Sequence, residues 1–345
     1  MNDLTQQLAA GTPLTAGQVN TAVDQLLAAG VPDLAKADFL CALARKGETV
    51  GEITAFAIAL RAHAIVPPLD AATRAGEILD VCGTGGDRLN TFNISTTVAL
   101  VCAAAGVAVA KHGNRAVTSK SGSADVLEAL GIRVDLPPEG AAQSLREHGF
   151  AFFFAPHYHP TFRQIKGARQ LCAARGQRTI FNLLGPLLNP ARPSAQLMGV
   201  PRPEWCATMA PVLQALGVRR AMVVCGRVGE AWLDELSTLG DTEIAEFYQD
   251  HGFSTATLAR EHYPLQPATL KDLAGGDGTQ NAGIIRQLLA NRDHSPRRDA
   301  VLLNAGAGLF LAGRARSILE GWELAAEVLA DGRAEAKLRA LTGRG

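Results

Sequence analysis

The spacing of apolar residues along the chain changes near residue 77. Before that point apolar side chains recur at helical intervals in three runs, VNTAVDQLLAAG, DLAKADFLCALARKG and GEITAFAIALRAHA. Thr15 and Thr49 precede the first and third runs, where helix N-caps are expected. The apolar face predicted for the second run consists of Leu34, Phe39, Leu40 and Leu43. This pattern predicts a small all-helical domain at the start of the chain.

From Glu77 onward, short apolar runs alternate with amphipathic helical runs. The helical runs include GAAQSLREHG, RPEWCATMAPVLQALG and SILEGWELAAEVLADG. The predicted strands are LDVC from Leu79, VAVA from Val107, IRVD from Ile132, AFFFA from Ala151, AMVVCG from Ala221, TEIAEF from Thr242 and AVLLNAG from Ala300. Such alternation is typical of βαβ units. The predicted fold class is therefore α/β, with the helical domain joined to a larger domain whose mainly parallel sheet is flanked by helices.

Two of the predicted strands run into loops that open a helix. The first loop reads GTGGDRLNTFN and the second KHGNRAVTSKSGS. Helix N-termini present unpaired N–H groups that suit phosphate, and Gly83, Gly85 and Gly86 allow the backbone to approach a ligand closely. Ordinary turns of a parallel sheet are the alternative, but so many polar side chains in one stretch disfavour it. Two adjacent loops of this kind indicate a ligand with more than one phosphate.

Composition narrows the function classes. The 345 residues are 47% hydrophobic and 19% charged, and their formal net charge is zero, so the chain has no basic field for nucleic acid. The six cysteines are scattered without a CxxC pair, which is typical of reduced thiols in a cytoplasmic protein. The polar N-terminus has no signal-peptide pattern. The longest apolar run, from Val98 to Ala110, is too short to cross a membrane.

The longest motifs also carry a family resemblance. DVCGTGGD, NISTT, KHGNRA, SGSADVLEALG and RTIFNLLGPLLNPA resemble the anthranilate phosphoribosyltransferases. The resemblance implies a nucleoside phosphorylase-like fold, with residues 1–70 as the helical domain, joined in space by about 160–185, and residues 71–159 and 186–345 as the α/β domain. It implies transfer of the 5-phosphoribosyl group from phosphoribosyl pyrophosphate to the amine of anthranilate, a step of tryptophan biosynthesis. It also implies Mg²⁺ and a homodimer formed through the helical domain.

Carried over residue by residue, the resemblance assigns a donor site and a metal site. The residues expected at phosphoribosyl pyrophosphate are Gly83, Thr84, Gly85, Gly86, Asp87, Asn93, Ser95, Thr96, Lys111 and Ser123. Those expected at Mg²⁺ are Ser95, Asp234 and Glu235. Four of these residues have plainer alternatives: Ser95 as a helix N-cap, Lys111 as a surface lysine, and the adjacent acids Asp234 and Glu235 as a solvated face.

On the acceptor side the resemblance implies a second group of residues. Those expected at anthranilate are Gly83, His112, Asn114, Pro156 and Arg169. An arginine suits the anthranilate carboxylate because its guanidinium can donate two charge-assisted hydrogen bonds. The chain departs from the family here, since QLCAARGQ makes the spacing between Arg169 and RTIFN longer than usual. Arg175 therefore stays an alternative to Arg169. Thr118 stands where the family pattern predicts serine.

Two rival functions are compatible with the same fold. A pyrimidine nucleoside phosphorylase shares the two-domain plan, but its loops resemble STGGVGDK and KHSGRG more than the GTGGD and KHGNRA found here. A nucleic-acid-binding relative is disfavoured by the intact glycine loop, the acidic pair and the zero net charge. His157 and His159 in PHYHP are predicted to shape a pocket rather than to bind a metal, because no further ligands stand at metal spacing.

Overall fold

The fold is described from a computed structural model, over residues 1–116, 120–248 and 252–343. Thr118 lies outside the described residues. The first helices are α1 (Asn2–Ala9), α2 (Ala16–Leu27), α3 (Asp33–Lys46), α4 (Val50–Ala62) and α5 (Ala71–Ala75). Thr15 and Thr49 cap α2 and α4, each through a capping box. The prediction for Leu34 was wrong: it lies in the first turn of α3 with 56% of its surface exposed, because the buried face of that helix begins later, with Lys36 and Ala37.

An eight-stranded sheet follows, and its central part is parallel. The strands are β1 (Ile78–Gly83), β2 (Ala108–Gly113), β3 (Phe150–Phe154), β4 (Ala195–Gly199), β5 (Arg220–Val228), β6 (Ala231–Leu233), β7 (Thr242–Tyr248) and β8 (Ser254–Leu258). Their order is β3-β2-β1-β4-β5-β7-β8, and β6 pairs with β5. The pairs from β3 to β5 are parallel, whereas β6, β7 and β8 join antiparallel. The predicted fold class is confirmed.

Helices cover both faces of this sheet. The helices that follow β1 along the chain are α6 (Ile94–Ala104), α7 (Ser123–Leu130), α8 (Pro138–His148), α9 (Ala155–Tyr158), α10 (Lys166–Ala174), α11 (Phe181–Leu184), α12 (Glu204–Ala215), α13 (Gly278–Leu289), α14 (Pro296–Leu311), α15 (Ile318–Ala330) and α16 (Arg333–Leu341). One face packs on α6 and α14, and the other on α8 and α12, with α4 packed on α12. Both faces are therefore buried, as expected for parallel strands.

Two predicted strands are not strands. AVLLNAG lies inside helix α14, whose start is marked by Ser295 as N-cap and Pro296 as first residue. IRVD is irregular, although Ile132 and Val134 are buried in the core. Short apolar runs do not distinguish a buried strand from a buried helix, which explains the first error.

The segment that contains α10 packs on the N-terminal helices. Short 3₁₀ helices flank it at Pro160–Ile165 and Gly185–Leu188. The Cys172 thiol lies 3.5 Å from that of Cys41 on α3, sulfur to sulfur, and both side chains are buried. No helix in the described ranges is both long enough and apolar enough to cross a membrane.

Candidate active site

The carboxyl ends of the parallel strands meet at one edge of the sheet, where both glycine-containing loops begin. The first loop follows β1, the second follows β2, and β4 lies beside β1. The Thr84 N–H donates to the Gly199 carbonyl at 2.9 Å, which fixes the start of the first loop against the end of β4. Open α/β sheets bind ligands at this kind of edge.

Two acidic residues reach this edge from a distant part of the chain. Asp234 and Glu235 directly follow β6. The Gly85 N–H donates to Asp234 Oδ2 at 2.7 Å, and the Ser95 N–H donates to Glu235 Oε1 at 3.2 Å. The structure thus brings the three residues expected at the metal, Ser95, Asp234 and Glu235, together at the glycine loop. The pair is therefore not an ordinary solvated face.

Glycines on three strands, at the ends of β1 and β4 and within β5, make room for the acidic segment. A Cβ on Gly83 would lie 2.2 Å from Asp234 Oδ2, and one on Gly199 would lie 1.6 Å from the Asp234 carbonyl oxygen. A Cβ on Gly226 would lie 2.6 Å from the Glu235 carbonyl oxygen. Any side chain at these positions would displace the carboxylates. Sequence reasoning missed Gly199 and Gly226, whose only signal is that each ends or interrupts an apolar strand.

A buried asparagine on α14 also holds this segment. Asn304 Oδ1 accepts the Leu236 N–H at 2.9 Å, and its Nδ2 donates to the Leu236 carbonyl at 3.0 Å. This pair of bonds fixes the backbone immediately after Glu235. Sequence reasoning missed Asn304 as well, although an asparagine within an apolar run needs a partner when it is buried.

The electrostatics of the acidic residues favour a cation. Burial, and then the charge of Asp87, raise the pKa of Asp234. Burial, and then the charge of Asp234, raise the pKa of Glu235. The carboxylates repel one another, and a divalent cation would relieve that repulsion.

The described residues contain no preformed cluster of three or more histidine, cysteine or acidic ligands. Mg²⁺ does not need one, because it is usually bound by one or two carboxylates together with substrate phosphates and water. The oxygen-only donor set of Ser95, Asp234 and Glu235 fits that requirement.

Lys111 is buried at the centre of the site rather than at the surface. It is 2% exposed, and its Nζ donates to the Val81 carbonyl at 2.6 Å and to Ser95 Oγ at 3.4 Å. The alternative of a surface lysine is therefore excluded. Its ammonium group places a positive charge beside the hydroxyl that is expected at the metal.

The two loops are tied together by amide side chains. Asn93 Nδ2 donates to the Ser121 carbonyl of the second loop at 3.4 Å, and Asn93 Oδ1 accepts from Asn281 Nδ2 at 2.8 Å. Ser123 begins α7, and its Oγ donates to the Asn114 carbonyl at 3.4 Å. These bonds place Asn93, Asn114 and Ser123 close together where the two loops meet.

Asp87 and Thr96, which are also expected at phosphoribosyl pyrophosphate, lie on the first loop and at the start of α6. Asp87 Oδ1 accepts the Leu89 N–H at 3.1 Å, and the Asp87 carboxylate interacts with that of Asp234. Thr96 is buried, and its hydroxyl has no hydrogen-bond partner among the described residues.

On the acceptor side, two histidines pack edge to face. The rings of His112 and His159 lie 5.4 Å apart between centroids. His112 Nδ1 donates to the Gly185 carbonyl at 3.3 Å, and His159 Nε2 donates to the Leu188 carbonyl at 3.0 Å. Burial, and then the neighbouring His159, lower the pKa of His112 to about 3. Both imidazole rings are therefore neutral at pH 7. Pro156 lies on α9 and is exposed.

Arg169 and Arg175 have different surroundings. The Arg169 guanidinium lies 5.7 Å from the centroid of the Phe181 ring, and it forms no ion pair with a carboxylate of the described chain. Arg175, just past the end of α10, donates to Asp38 on α3 at 2.7 Å. Arg169 is thus the arginine with an uncommitted charge, and Arg175 is engaged with the N-terminal helices.

Comparison with known proteins supplies the family. The model of the glycosyl transferase family a/b domain matches residues 75–335, and that of the family's helical bundle domain matches residues 2–64. An anthranilate phosphoribosyltransferase from Moorella thermoacetica is 47% identical over 97% of this chain and 95% of its own length. The chain belongs to the anthranilate phosphoribosyltransferase family. The resemblance predicted from the motifs is confirmed.

Further members of this family agree in sequence and in fold. The anthranilate phosphoribosyltransferase of Lacticaseibacillus paracasei is 44% identical over 95% of this chain and 92% of its own. The crystal structure of the Thermus thermophilus enzyme superposes with a TM-score of 0.89, at 42% identity and 99% coverage of both chains. The structure of the Saccharomyces cerevisiae enzyme in complex with phosphoribosyl pyrophosphate and Mg superposes with a TM-score of 0.86 at 26% identity. The match covers 99% of this chain and 96% of the yeast chain.

Proposed function

We propose that this protein transfers the 5-phosphoribosyl group from phosphoribosyl pyrophosphate to the amine of anthranilate, releasing pyrophosphate, in tryptophan biosynthesis. The observation that carries the proposal is the contact between the first glycine loop and the acidic pair, in which the Gly85 N–H donates to Asp234. The glycine loop, which suits phosphate, thus meets the two carboxylates, which suit Mg²⁺. Transfer from a diphosphate donor requires both.

On the donor side, the chain clamps the leaving group. The backbone of Gly83, Thr84, Gly85 and Gly86 would bind the diphosphate, with Asp87, Asn93, Ser95, Thr96, Lys111 and Ser123 around the phosphoribosyl part. Mg²⁺, held by Ser95, Asp234 and Glu235, would neutralise charge on the departing pyrophosphate. The Lys111 ammonium would stabilise the same developing charge.

On the acceptor side, the chain positions anthranilate. Arg169 would bind the carboxylate, because its guanidinium is not paired with a described carboxylate and is held over Phe181. Gly83, His112, Asn114 and Pro156 complete the proposed pocket. The neutral rings of His112 and His159 provide an apolar wall for the aromatic ring. Positioning the amine near the ribosyl carbon supplies much of the rate.

The protein is further proposed to act in the cytoplasm as a homodimer. Leu34, Val50 and Ile58, on α3 and α4, expose 56%, 37% and 53% of their surfaces. Exposed apolar side chains on neighbouring helices support an interface between helical domains. Residues 1–70 with about 160–185 are proposed as one domain, supported by the packing of α10 on α3. Sedimentation of the wild type and of a Leu34→Ser, Ile58→Ser variant tests the dimer, and a wild-type monomer contradicts it.

A steady-state assay with a panel of acceptors tests the proposed reaction. The purified protein should consume anthranilate when phosphoribosyl pyrophosphate and Mg²⁺ are present. It should not cleave uridine or thymidine with phosphate, which is the reaction of the rival phosphorylase. Phosphorolysis without consumption of anthranilate would contradict the proposal and favour a pyrimidine nucleoside phosphorylase. Salt-dependent binding of DNA would favour a nucleic-acid-binding protein instead.

A further inference from the structure

Arg178, the first residue of the RTIFN motif, lies directly against the first glycine loop, although the sequence analysis assigned it no role. A Cβ on Gly86 would lie 2.4 Å from Arg178 Nη2, so the guanidinium fills the space that a side chain would take. Gly86 also has a φ of +91°, which only glycine adopts without strain. The loop is therefore open to Arg178 on one side. On the other, the adjacent Gly85 N–H is bound to Asp234.

The guanidinium of Arg178 is held in place by an aromatic ring. Its central carbon lies 5.2 Å from the centroid of Trp205, at the start of α12. The guanidinium of Arg202 lies 5.5 Å from the same ring. Two cations thus share one indole, and each gains a cation–π interaction that restricts its motion.

The guanidinium of Arg178 lies near two other cations, Arg202 and Arg88. Arg178 forms no ion pair with any carboxylate in the described ranges, and Arg202 reaches Glu204 only at 3.9 Å. Burial, and then the charges of Arg202 and Arg88, lower the pKa of Arg178. Arg88 belongs to the glycine loop itself and has a φ of +63°, a left-handed conformation that is unfavourable for a long side chain. Like charges held together in this way favour a bound anion.

We propose that Arg178 is a diphosphate-binding residue, which donates to the diphosphate of the donor and of the pyrophosphate product as they lie on the glycine loop beside Gly86. Arg88 and Arg202 strengthen the local positive field. The inference rests on the proposed function for the identity of the anion. A planar guanidinium can donate two parallel hydrogen bonds to phosphate oxygens, which an ammonium group cannot. Arg178 complements Mg²⁺, since the cation site and the guanidinium lie at successive residues of the loop.

Binding of pyrophosphate in the presence of Mg²⁺, measured by calorimetry, tests this role without any turnover. Arg178→Ala should weaken that binding about tenfold to a hundredfold, the usual effect of losing a charge-assisted pair of hydrogen bonds. Arg178→Lys should restore only part of it. Arg133→Ala is the matched control, since Arg133 is an exposed arginine whose side chain faces Asp135. Equal pyrophosphate binding by the wild type and Arg178→Ala, with both folded, would overturn the proposal.

Kinetic constants separate this role from a structural one and from acceptor binding. In Arg178→Ala the Michaelis constant for phosphoribosyl pyrophosphate should rise and that for anthranilate should stay unchanged. A rise in the anthranilate constant alone would overturn the assignment. Trp205→Leu, which keeps the charge but removes the platform, should show a smaller effect of the same kind and serves if Arg178→Ala does not fold. Weakened pyrophosphate binding supports the role of Arg178 even if the wild type consumes no anthranilate, so the two proposals fail separately.

Discussion

The main-chain carbonyl of Asp234 occupies the space where a side chain on Gly199 would lie. A Cβ there would come within 1.6 Å of that oxygen. Gly199→Ala should therefore displace the acidic segment and move both carboxylates away from the glycine loop. We expect kcat/KM for the donor to fall at least about tenfold, since misplacement of binding groups by a fraction of an ångström is costly. Steady-state kinetics over a range of Mg²⁺ concentrations measures the effect.

Gly283→Ala provides the control for that variant. Gly283 lies inside α13, and a Cβ there would meet nothing within 4 Å. Alanine at an open helical position should stabilise the protein slightly, by about 0.5–1 kcal/mol, and leave activity unchanged. If Gly199→Ala is as active as Gly283→Ala, the glycine does not make room for the acidic segment.

Neutralising the acidic pair should separate stability from activity. Burial raises the pKa of both Asp234 and Glu235, and the charge of Asp87 adds to the shift of Asp234 as that of Asp234 does to the shift of Glu235. Their charged forms therefore destabilise the metal-free protein at neutral pH. Asp234→Asn combined with Glu235→Gln should raise the melting temperature without Mg²⁺ and abolish the further rise on adding Mg²⁺ with pyrophosphate. Activity should fall sharply. A variant that still responds to Mg²⁺ like the wild type would remove the pair from the metal site.

The two arginines of the longer α10 segment should differ in effect. Arg169→Ala should weaken anthranilate binding by about 1.5–3 kcal/mol, the size of a hydrogen bond to a charged group, which is roughly a ten- to hundredfold rise in KM where KM tracks binding. Arg175→Ala should leave that constant unchanged, because Arg175 is paired with Asp38. Both Michaelis constants should be measured in both variants. A loss of anthranilate binding in Arg175→Ala alone would reverse the assignment.

The pair of His112, which is partly buried, and His159, which is buried, should make the fold sensitive to acid. His112 has its pKa lowered to about 3 by burial, by His159 and by the cations Arg61 and Lys111. The unfolded chain takes up this proton at a higher pH, so stability falls as the pH drops below about 6.5 and continues to fall toward 3.

Between pH 7.5 and 5, His112 alone should lower the free energy of unfolding by about 2 kcal/mol. Denaturant unfolding of the wild type and of His112→Gln at both pH values checks this. Burial also lowers the pKa of His159, so His159 adds to the loss of stability at low pH in the wild type and in His112→Gln alike. Equal pH dependence in the two proteins would contradict the account of His112.

Local signals in the sequence were sufficient for much of the fold. Thr15 and Thr49 predict helix starts because their side chains can cap a helix. The glycines after β1 predict the loop that follows that strand. The run AVLLNAG was predicted as a strand because its apolar residues are continuous, and only its length and its Ser-Pro start reveal α14. Asn304 lies in the same run, and its role could not be predicted because its partner, Leu236, is 68 residues away in the sequence.

The parts of the site that sequence could not supply depend on long-range packing. Gly199 and Arg178 matter only because the fold brings them to Asp234 and Gly86. No local pattern encodes which glycine must leave room for a carboxylate, or which arginine faces a loop 92 residues earlier, since such contacts are set by the order of strands in the sheet. The family resemblance placed the acidic pair, and the structure added the residues that hold it.

The release of pyrophosphate tests the central claim most directly. The purified protein should be mixed with phosphoribosyl pyrophosphate and Mg²⁺, and pyrophosphate and anthranilate should be followed together after anthranilate is added. The account predicts that pyrophosphate appears only then, in equal amount to the anthranilate consumed, and that excess chelator stops both. Pyrophosphate release at the same rate without anthranilate, or undiminished turnover in chelator, would contradict it.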